Sequence, residues 1–130
     1  MPKLILPLLL ISISFSVLLT ACAAPTSEAA STVEEYLSSL ASHDGNQVSN
    51  LSCQDWETDA LLEVDSFQLV NVTLEEVSCA VVNETAGEFE VQCTGAIVST
   101  YNNEVTRIDL AGRVYRVIQE KGDFFVCGYQ

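Results

Sequence analysis

Basic side chains are scarce in this chain, and their scarcity excludes whole classes of partner. Five lysines and arginines stand against 18 aspartates and glutamates, which gives a formal net charge of −13 at pH 7. A field of that sign repels phosphate backbones and anionic lipid headgroups. We therefore expect no nucleic-acid partner and no membrane contact through a basic patch.

Histidine is equally rare, and common catalytic motifs are missing. His43 is the only histidine and no Cys-x-x-Cys pair occurs, so the usual spacing of zinc ligands is absent. Nucleophile elbows, phosphate-binding glycine loops and calcium-loop spacing are absent as well. We therefore predict that the protein holds no metal and no cofactor, has no catalytic residue, and is not an enzyme.

One long apolar run stands at the amino terminus. Lys3 precedes an almost unbroken apolar stretch from Leu4 to Leu19, which is how an export signal is built. The run is too short and one-sided for a membrane span. It ends in Leu19-Thr20-Ala21-Cys22, which resembles the lipobox of bacterial lipoproteins. That resemblance implies a signal peptide over residues 1–21, cleavage before Cys22, and diacylglycerol on its sulfur as a membrane anchor.

Ordinary signal cleavage is the alternative at this site. Ala21-Cys22-Ala23 also fits the small-x-small pattern of common cleavage sites, and cleavage there would discard Cys22. The product would be a freely secreted domain. In both cases the location is outside the cytoplasm, either lipid-anchored in the cell envelope or secreted.

The other four of the five cysteines form an even set in a small exported chain, which predicts two disulfides. Three connectivities are open. We favour a bridge from Cys79 to Cys93, because directly opposed residues of an antiparallel hairpin approach closely enough for a disulfide. Cys53 and Cys127 would then tie the helices to the last strand.

Composition divides the mature chain into a tether and a domain. Residues 22–30 begin at the lipidated cysteine and continue with small residues and one proline, without an apolar face, so we predict a flexible tether. Residues 31–130 are enough for one hydrophobic core but not for two. We therefore predict a single α+β domain over residues 31–130.

The first part of this domain has helical periodicity. Val33, Tyr36, Leu37 and Leu40 recur at i, i+3, i+4 and i+7, which is one stripe of a helix. A short second helix is expected from Asp44-Gly45. A third is expected over residues 56–64, with Asp55 as its cap.

From Phe67 onward the period changes, and the sequence predicts antiparallel strands joined by tight turns. We expect a five-residue loop over Glu84–Glu88 and a two-residue Asn102-Asn103 turn. The last turn is either a two-residue loop at Lys121-Gly122 or a three-residue loop with a bulge at Gly122.

The Asn-Asn turn fixes a long pairing. It would place Ile97 opposite Ile108 and, farther along one strand from Ile108 to Gln119, Val91 opposite Val114. That strand has apolar residues on both faces, which predicts a strongly bent sheet. A change of phase near Glu75-Glu76 predicts a bulge in the first strand.

The predicted order is short helices followed by a long curved sheet. The sheet ends in Tyr115-Arg116-Val117-Ile118 and Phe124-Phe125-Val126-Cys127-Gly128-Tyr129. This pattern resembles the NTF2-like (cystatin-like superfamily) domains of many small bacterial lipoproteins. The resemblance covers about Ser31 to Gln130. It implies short N-terminal helices packed on a curved antiparallel sheet of about four strands, forming a cone whose mouth lies between helices and sheet. Some members are isomerases or dehydratases, and many are non-catalytic binding domains. No functional residue is carried over, because the chain has no local motif of the enzymatic members.

Several apolar and aromatic residues could line a pocket in such a cone, although ordinary core packing would equally explain them. They are Tyr36, Leu40, Trp56, Tyr101 and Tyr115. The leading hypothesis is non-catalytic binding of a protein partner or a small ligand. A small isomerase or hydratase with one buried carboxylate is the second, and an envelope spacer without a pocket is the third.

Overall fold

The computed structural model describes residues 23–130, so the predicted signal peptide and the lipidation site Cys22 lie outside the described residues. The described chain is α+β, as predicted, with three helices packed on one antiparallel sheet of five strands instead of about four. The described helices lack the length and apolar content needed to cross a membrane. The elements are α1 (Pro25–Ala41), α2 (Gly45–Asn50), α3 (Glu57–Ser66), β1 (Asn71–Thr85), β2 (Glu88–Tyr101), β3 (Glu104–Asp109), β4 (Val114–Glu120) and β5 (Asp123–Tyr129).

The first helix begins at Pro25, earlier than the sequence suggested. Proline suits the first turn of a helix because the N–H that it lacks has no intrahelical partner there. Ala29 and Ala30 then bury their small side chains in the core. Residues 25–30 therefore belong to the domain, and the prediction of a flexible tether over residues 22–30 is wrong for this part.

The apolar stripe of α1 faces the sheet as its spacing predicts. Its members are fully buried or nearly so and belong to one core cluster with large side chains of the sheet. Side chains therefore fill the interior of the cone. The largest of them are Tyr36, Leu37, Leu40, Phe89, Ile97, Leu110 and Tyr115.

The two short helices start differently. Asp44 caps α2, where its Oδ1 accepts a hydrogen bond from the Gln47 N–H at 3.0 Å. Asp55 does not cap α3, contrary to the prediction. Instead, the N–H groups of Trp56 and of the next residue both donate to the Cys53 carbonyl at 3.0 Å, so a backbone turn starts the helix.

β2 is the central strand of the sheet. β1 lies on one side of it, β3 and β4 share the other side in succession, and β5 lies beyond β4. The continuous strand predicted from Ile108 to Gln119 is wrong, because a 3₁₀ turn over Leu110–Gly112 divides it. Asp109 caps this turn: its carboxylate accepts a hydrogen bond from the Ala111 N–H at 3.0 Å.

The 3₁₀ turn decides which residues of β4 face the core. Before the turn, Ile97 pairs with Ile108 as predicted. After it, Val91 pairs with Tyr115 and not with Val114, so that part of the prediction is wrong. A slip of one residue exchanges the two faces of a strand. Tyr115 is consequently fully buried.

A bulge bends β1 at the predicted place. The register with β2 shifts after Glu75, and Glu76 has a positive φ of 48°. Gly95 of β2 lies against this bulge with φ at +90°, and a Cβ added there would come 2.3 Å from the Glu75 carbonyl oxygen. Glycine is therefore required at Gly95 by both the backbone conformation and the close approach.

The three hairpin turns each contain two residues. Asn102-Asn103 is as predicted, and Lys121-Gly122 adopts the two-residue alternative, with Glu120 opposite Asp123. The five-residue loop predicted over Glu84–Glu88 is wrong. An additional bulge after Val81 shifts the register, so that Ala86-Gly87 alone form the turn. All six turn residues have positive φ, which suits the twist of tight hairpins.

Two disulfides are present, as predicted. One joins Cys79 to Cys93 across the first hairpin, where the two residues are direct partners with Cα atoms 4.0 Å apart. The other joins Cys53 to Cys127 and ties the segment before α3 to the last strand.

Candidate functional site

A half-buried carboxylate lies at the mouth between the helices and the sheet. It belongs to Glu63 of α3, whose side chain is 19% exposed. The Tyr36 hydroxyl donates to Glu63 Oε2 at 2.8 Å, and the Tyr129 hydroxyl donates to Oε1 at 2.6 Å. Because these tyrosines lie on α1 and β5, one carboxylate joins both helices to the last strand.

Trp56 extends this cluster toward the surface. Its Nε1–H donates to the Tyr36 hydroxyl at 3.1 Å, and its ring meets the Tyr129 ring edge-on, with centroids 5.7 Å apart. Gly128 makes this packing possible: a Cβ there would lie 3.2 Å from the indole ring, and its φ is +104°.

Arg113 supplies the positive charge of the site. Its guanidinium lies over the Tyr129 ring, 4.2 Å from the centroid, where a cation is attracted by the ring face. Its Nη1 is 4.0 Å from Glu63 Oε1, a loose ion pair, and its side chain is 21% exposed. The guanidinium is therefore partly accessible to a bound molecule.

The surroundings keep the tyrosines protonated and thus able to donate. Burial, reinforced by the negative charge of Glu63, raises the pKa of Tyr129 to about 12. The same two causes raise the pKa of Tyr36 well above its usual range. Burial also raises the pKa of Tyr115, with Arg113 acting in the opposite direction.

An open groove of about 520 Å³ lies over this cluster. Leu62, Phe67 and Ile108 add apolar walls to the rings of Trp56 and Tyr129. Glu63 and Arg113 provide charge, and Asp59 and Ser66 also line the groove. The arrangement is a shallow surface with aromatic walls and one loose ion pair.

The five residues expected to line a pocket do not lie together in the structure. Trp56 lines the groove, whereas Tyr36 is fully buried and is linked to it only by its hydrogen bond to Glu63. Leu40 and Tyr115 lie in the filled interior, so the prediction that they line a pocket is wrong. Tyr101 is 55% exposed at the β2–β3 turn and does not line this groove; it lines a separate pocket of about 250 Å³ with Val70 and Glu104.

Three residues of the site, Glu63, Arg113 and Tyr129, were not predicted as site residues from the sequence. Glu63 follows Trp56 and Ala60 at i+7 and i+3, so its place on the buried face of the third helix was a usable signal. Arg113 and Tyr129 could not be found in that way. The unpredicted 3₁₀ turn positions Arg113, and long-range strand pairing places it beside Tyr129.

Within residues 23–130, no group of three or more histidine, cysteine, aspartate or glutamate side chains is placed to hold a metal ion. The single histidine lies just beyond α1, where His43 adopts a positive φ of 59°.

Comparison with known proteins supports the fold alone. No protein-family model matches the chain, and comparison with the curated proteins gives no match. Among solved structures, the NTF2-like design Rd1NTF2_05, in a substituted form, has a TM-score of 0.51 and 10% identity over 77% of this chain and 92% of the design. The fold is therefore NTF2-like.

Two natural proteins share the same architecture. The helical cell shape determining protein Pgp2 from Campylobacter jejuni has a TM-score of 0.51 and 10% identity, covering 76% of this chain but only 38% of Pgp2. A SEC-C motif containing protein from Rhodopseudomonas palustris has a TM-score of 0.52 and 6% identity, covering 76% of this chain and 74% of that protein. At such identities the likeness concerns the fold and not the activity.

Proposed function

We propose that this protein is a binding protein outside the cytoplasm, anchored by lipid on Cys22, whose domain binds a small ligand non-catalytically in the groove over Glu63. The observation that carries the proposal is the combination of a filled cone interior with an open, aromatic-walled groove at its mouth. A surface of this kind can hold a ligand but does not enclose it. The lipobox and the two disulfides, which form in oxidising compartments, support the location.

The bonding of Glu63 favours binding over catalysis. Each of its carboxylate oxygens already accepts a hydrogen bond from a tyrosine, and Arg113 lies beside one of them. The carboxylate is therefore engaged in holding helices and sheet together. Moreover, an open groove does not expel water, and water exclusion strengthens the electrostatic interactions on which catalysis depends.

The walls of the groove define the class of ligand. Trp56 and Tyr129 offer ring faces and edges to a flat apolar body. Arg113 is the hydrogen-bond donor beside them and suits a carbonyl or carboxylate acceptor. We therefore expect a compact aromatic or cyclic molecule that carries one such acceptor.

Intrinsic fluorescence gives a direct test, because Trp56 is the only tryptophan of the chain. The protein would be titrated with 2-naphthoic acid and with its neutral amide, and Trp56 emission would be followed. Binding should change the emission, and Arg113→Gln should lower the affinity for the probe several-fold. Arg116→Gln, which removes the same charge from an exposed pair with Glu88, should leave affinity unchanged. If neither probe alters the emission, or if both variants behave alike, the proposed ligand class is wrong.

The anchor requires a separate test. The intact mass of the protein from the membrane fraction of its host would be measured before and after reduction. A chain that starts at Cys22 and carries diacylglycerol would support the lipoprotein assignment. A chain without lipid that starts after Cys22 would replace it by a secreted binding domain.

A second candidate is an isomerase or hydratase in which Glu63 moves a proton. It is favoured by the position of this half-buried carboxylate beside an open groove and two tyrosine donors. Under this hypothesis, the wild type would catalyse exchange of solvent deuterium into a bound ketone, as observed by NMR. Glu63→Gln would retain ligand binding and abolish the exchange. Binding without exchange in the wild type would leave non-catalytic binding as the function.

A further inference from the structure

A second groove, which shares no lining residue with the first, lies between the start of α1 and the edge of β1. Its volume is about 560 Å³. Thr26, Ser27, Ala30 and Ser31 line it from the helix, and these short side chains leave room beside the strand. The groove is thus an open trough along a strand edge.

The backbone groups at this edge point outward at two residues. Cys79 is paired with Cys93, yet its N–H donates away from β2, to Glu34 Oε1 at 2.8 Å. Alternation along an antiparallel strand then directs the N–H and C=O of Val81 outward as well. Apart from the strand ladders, no backbone hydrogen bond in the described part of the chain involves Val81.

The opposite edge of the sheet is already covered. The Val126 N–H of β5 donates to the Leu51 carbonyl at 2.7 Å, and the Cys53 N–H donates to the Val126 carbonyl at 2.9 Å. Residues 51–53 therefore occupy the place of an additional strand at that edge. At β1, by contrast, the Cys79 N–H is capped by a single side chain, the carboxylate of Glu34.

Charge identifies what the trough would accept. Glu34 lines it, Glu28 lies in the first turn of α1, and Glu84 is exposed toward the end of β1. No lysine or arginine lines the trough within the described chain. A second copy of a protein with net charge −13 would be repelled, whereas a basic segment would be attracted.

We propose that the edge of β1 at Cys79–Val81 is a docking site for an extended, basic segment of a partner protein. The segment adds as a strand, pairing its backbone with the outward groups of Val81. Its carbonyl replaces Glu34 at the Cys79 N–H, and the released carboxylate pairs with a lysine or arginine of the segment. This surface is separate from the groove over Glu63, so the proposal stands or falls independently of ligand binding there.

The test uses a short peptide that alternates lysine and valine, added to the folded domain while amide exchange is followed by NMR. The amide of Val81 should become protected, and affinity should decline with added salt. The same peptide with glutamate in place of lysine should not bind. Equal binding of the two peptides, protection confined to other strands, or no binding of the lysine peptide would overturn the proposal.

Variants sharpen this test. Val81→Pro removes an outward N–H without removing a ladder hydrogen bond and should weaken binding by about fivefold. Glu34→Gln keeps an acceptor but loses the charge, which should weaken binding by about threefold and flatten the salt dependence. Glu104→Gln removes one charge at the β2–β3 turn and should have no effect. Thermal melting checks that each variant is folded, and equal affinities of Glu34→Gln and Glu104→Gln would contradict the role of Glu34.

Discussion

The hydroxyl of Tyr129 donates a 2.6 Å hydrogen bond to Glu63 Oε1, and this contact links the last strand of the sheet to the third helix. The two residues are 66 positions apart in the chain. Their contact therefore exists only when the whole domain is assembled. The same two side chains hold the last strand to the third helix and line the candidate site.

Removing this hydroxyl should destabilise the fold. Tyr129→Phe deletes the donor and leaves one oxygen of a half-buried carboxylate without it, at a cost of about 1 to 2 kcal/mol in the free energy of unfolding. Urea denaturation would measure the loss. Tyr101→Phe is the matched control, because Tyr101 is exposed at a turn and should change stability little. Equal effects of the two substitutions would contradict the role given to the Tyr129–Glu63 bond.

Alkaline pH should weaken the same contact. The pKa of Tyr129 rises from 10.0 to about 12 in the folded protein, first through burial and then through Glu63. Since the folded pKa exceeds the unfolded one, the stabilisation is complete below about pH 10 and is lost as the pH rises through about 12. The free energy of unfolding, measured across this range, should decline less steeply in Tyr129→Phe than in the wild type. Identical slopes would argue against this pKa shift.

The two disulfides should contribute different amounts to the free energy of unfolding. Cys53 and Cys127 are 74 residues apart, whereas Cys79 and Cys93 are 14 apart. In the chain-entropy description, closing the longer loop contributes about 4.5 kcal/mol and the shorter about 3 kcal/mol. Replacing each pair by alanine and measuring denaturant midpoints would test the order. A greater loss from removing the Cys79–Cys93 pair would show that native-state packing outweighs loop entropy.

Gly95 should tolerate no side chain. Gly95→Ala places a Cβ 2.3 Å from the Glu75 carbonyl oxygen at a φ of +90°, so we expect a loss of about 3 kcal/mol or more. Gly112→Ala is the control, because a Cβ there meets no atom within 4 Å. Thermal melting of both variants would measure the difference. A stable Gly95→Ala variant would mean that the bulge at Glu75 can move aside.

Local patterns predicted much of the fold. The stripe of α1, the Asn102-Asn103 turn and the bulge at Glu75-Glu76 all follow from residue periodicity and turn chemistry. Each depends on neighbours in sequence or on one hairpin. Such features can be deduced without knowledge of the remaining chain.

The candidate site could not be predicted to the same extent, because it depends on long-range register. The 3₁₀ turn over Leu110–Gly112 shifts the pairing register by one residue, and no local sequence pattern predicted it. It turns Tyr115 into the core and leaves Arg113 beside Tyr129. A second undetected shift, after Val81, shortened the first hairpin loop. Errors of one residue thus exchanged whole faces of strands while leaving the fold class intact.

The early start of α1 sets how far the domain could stand from a lipid on Cys22, the anchor proposed above. Only three peptide units separate Cys22 from Pro25, and they extend to about 10 Å at most. With lipid on Cys22, the folded body would be held against the bilayer and would sweep only a thin layer above it. The trough beside β1, which includes Thr26 and Ser27, would lie in that layer. A partner anchored in the same membrane would then meet the trough by lateral diffusion in the membrane plane.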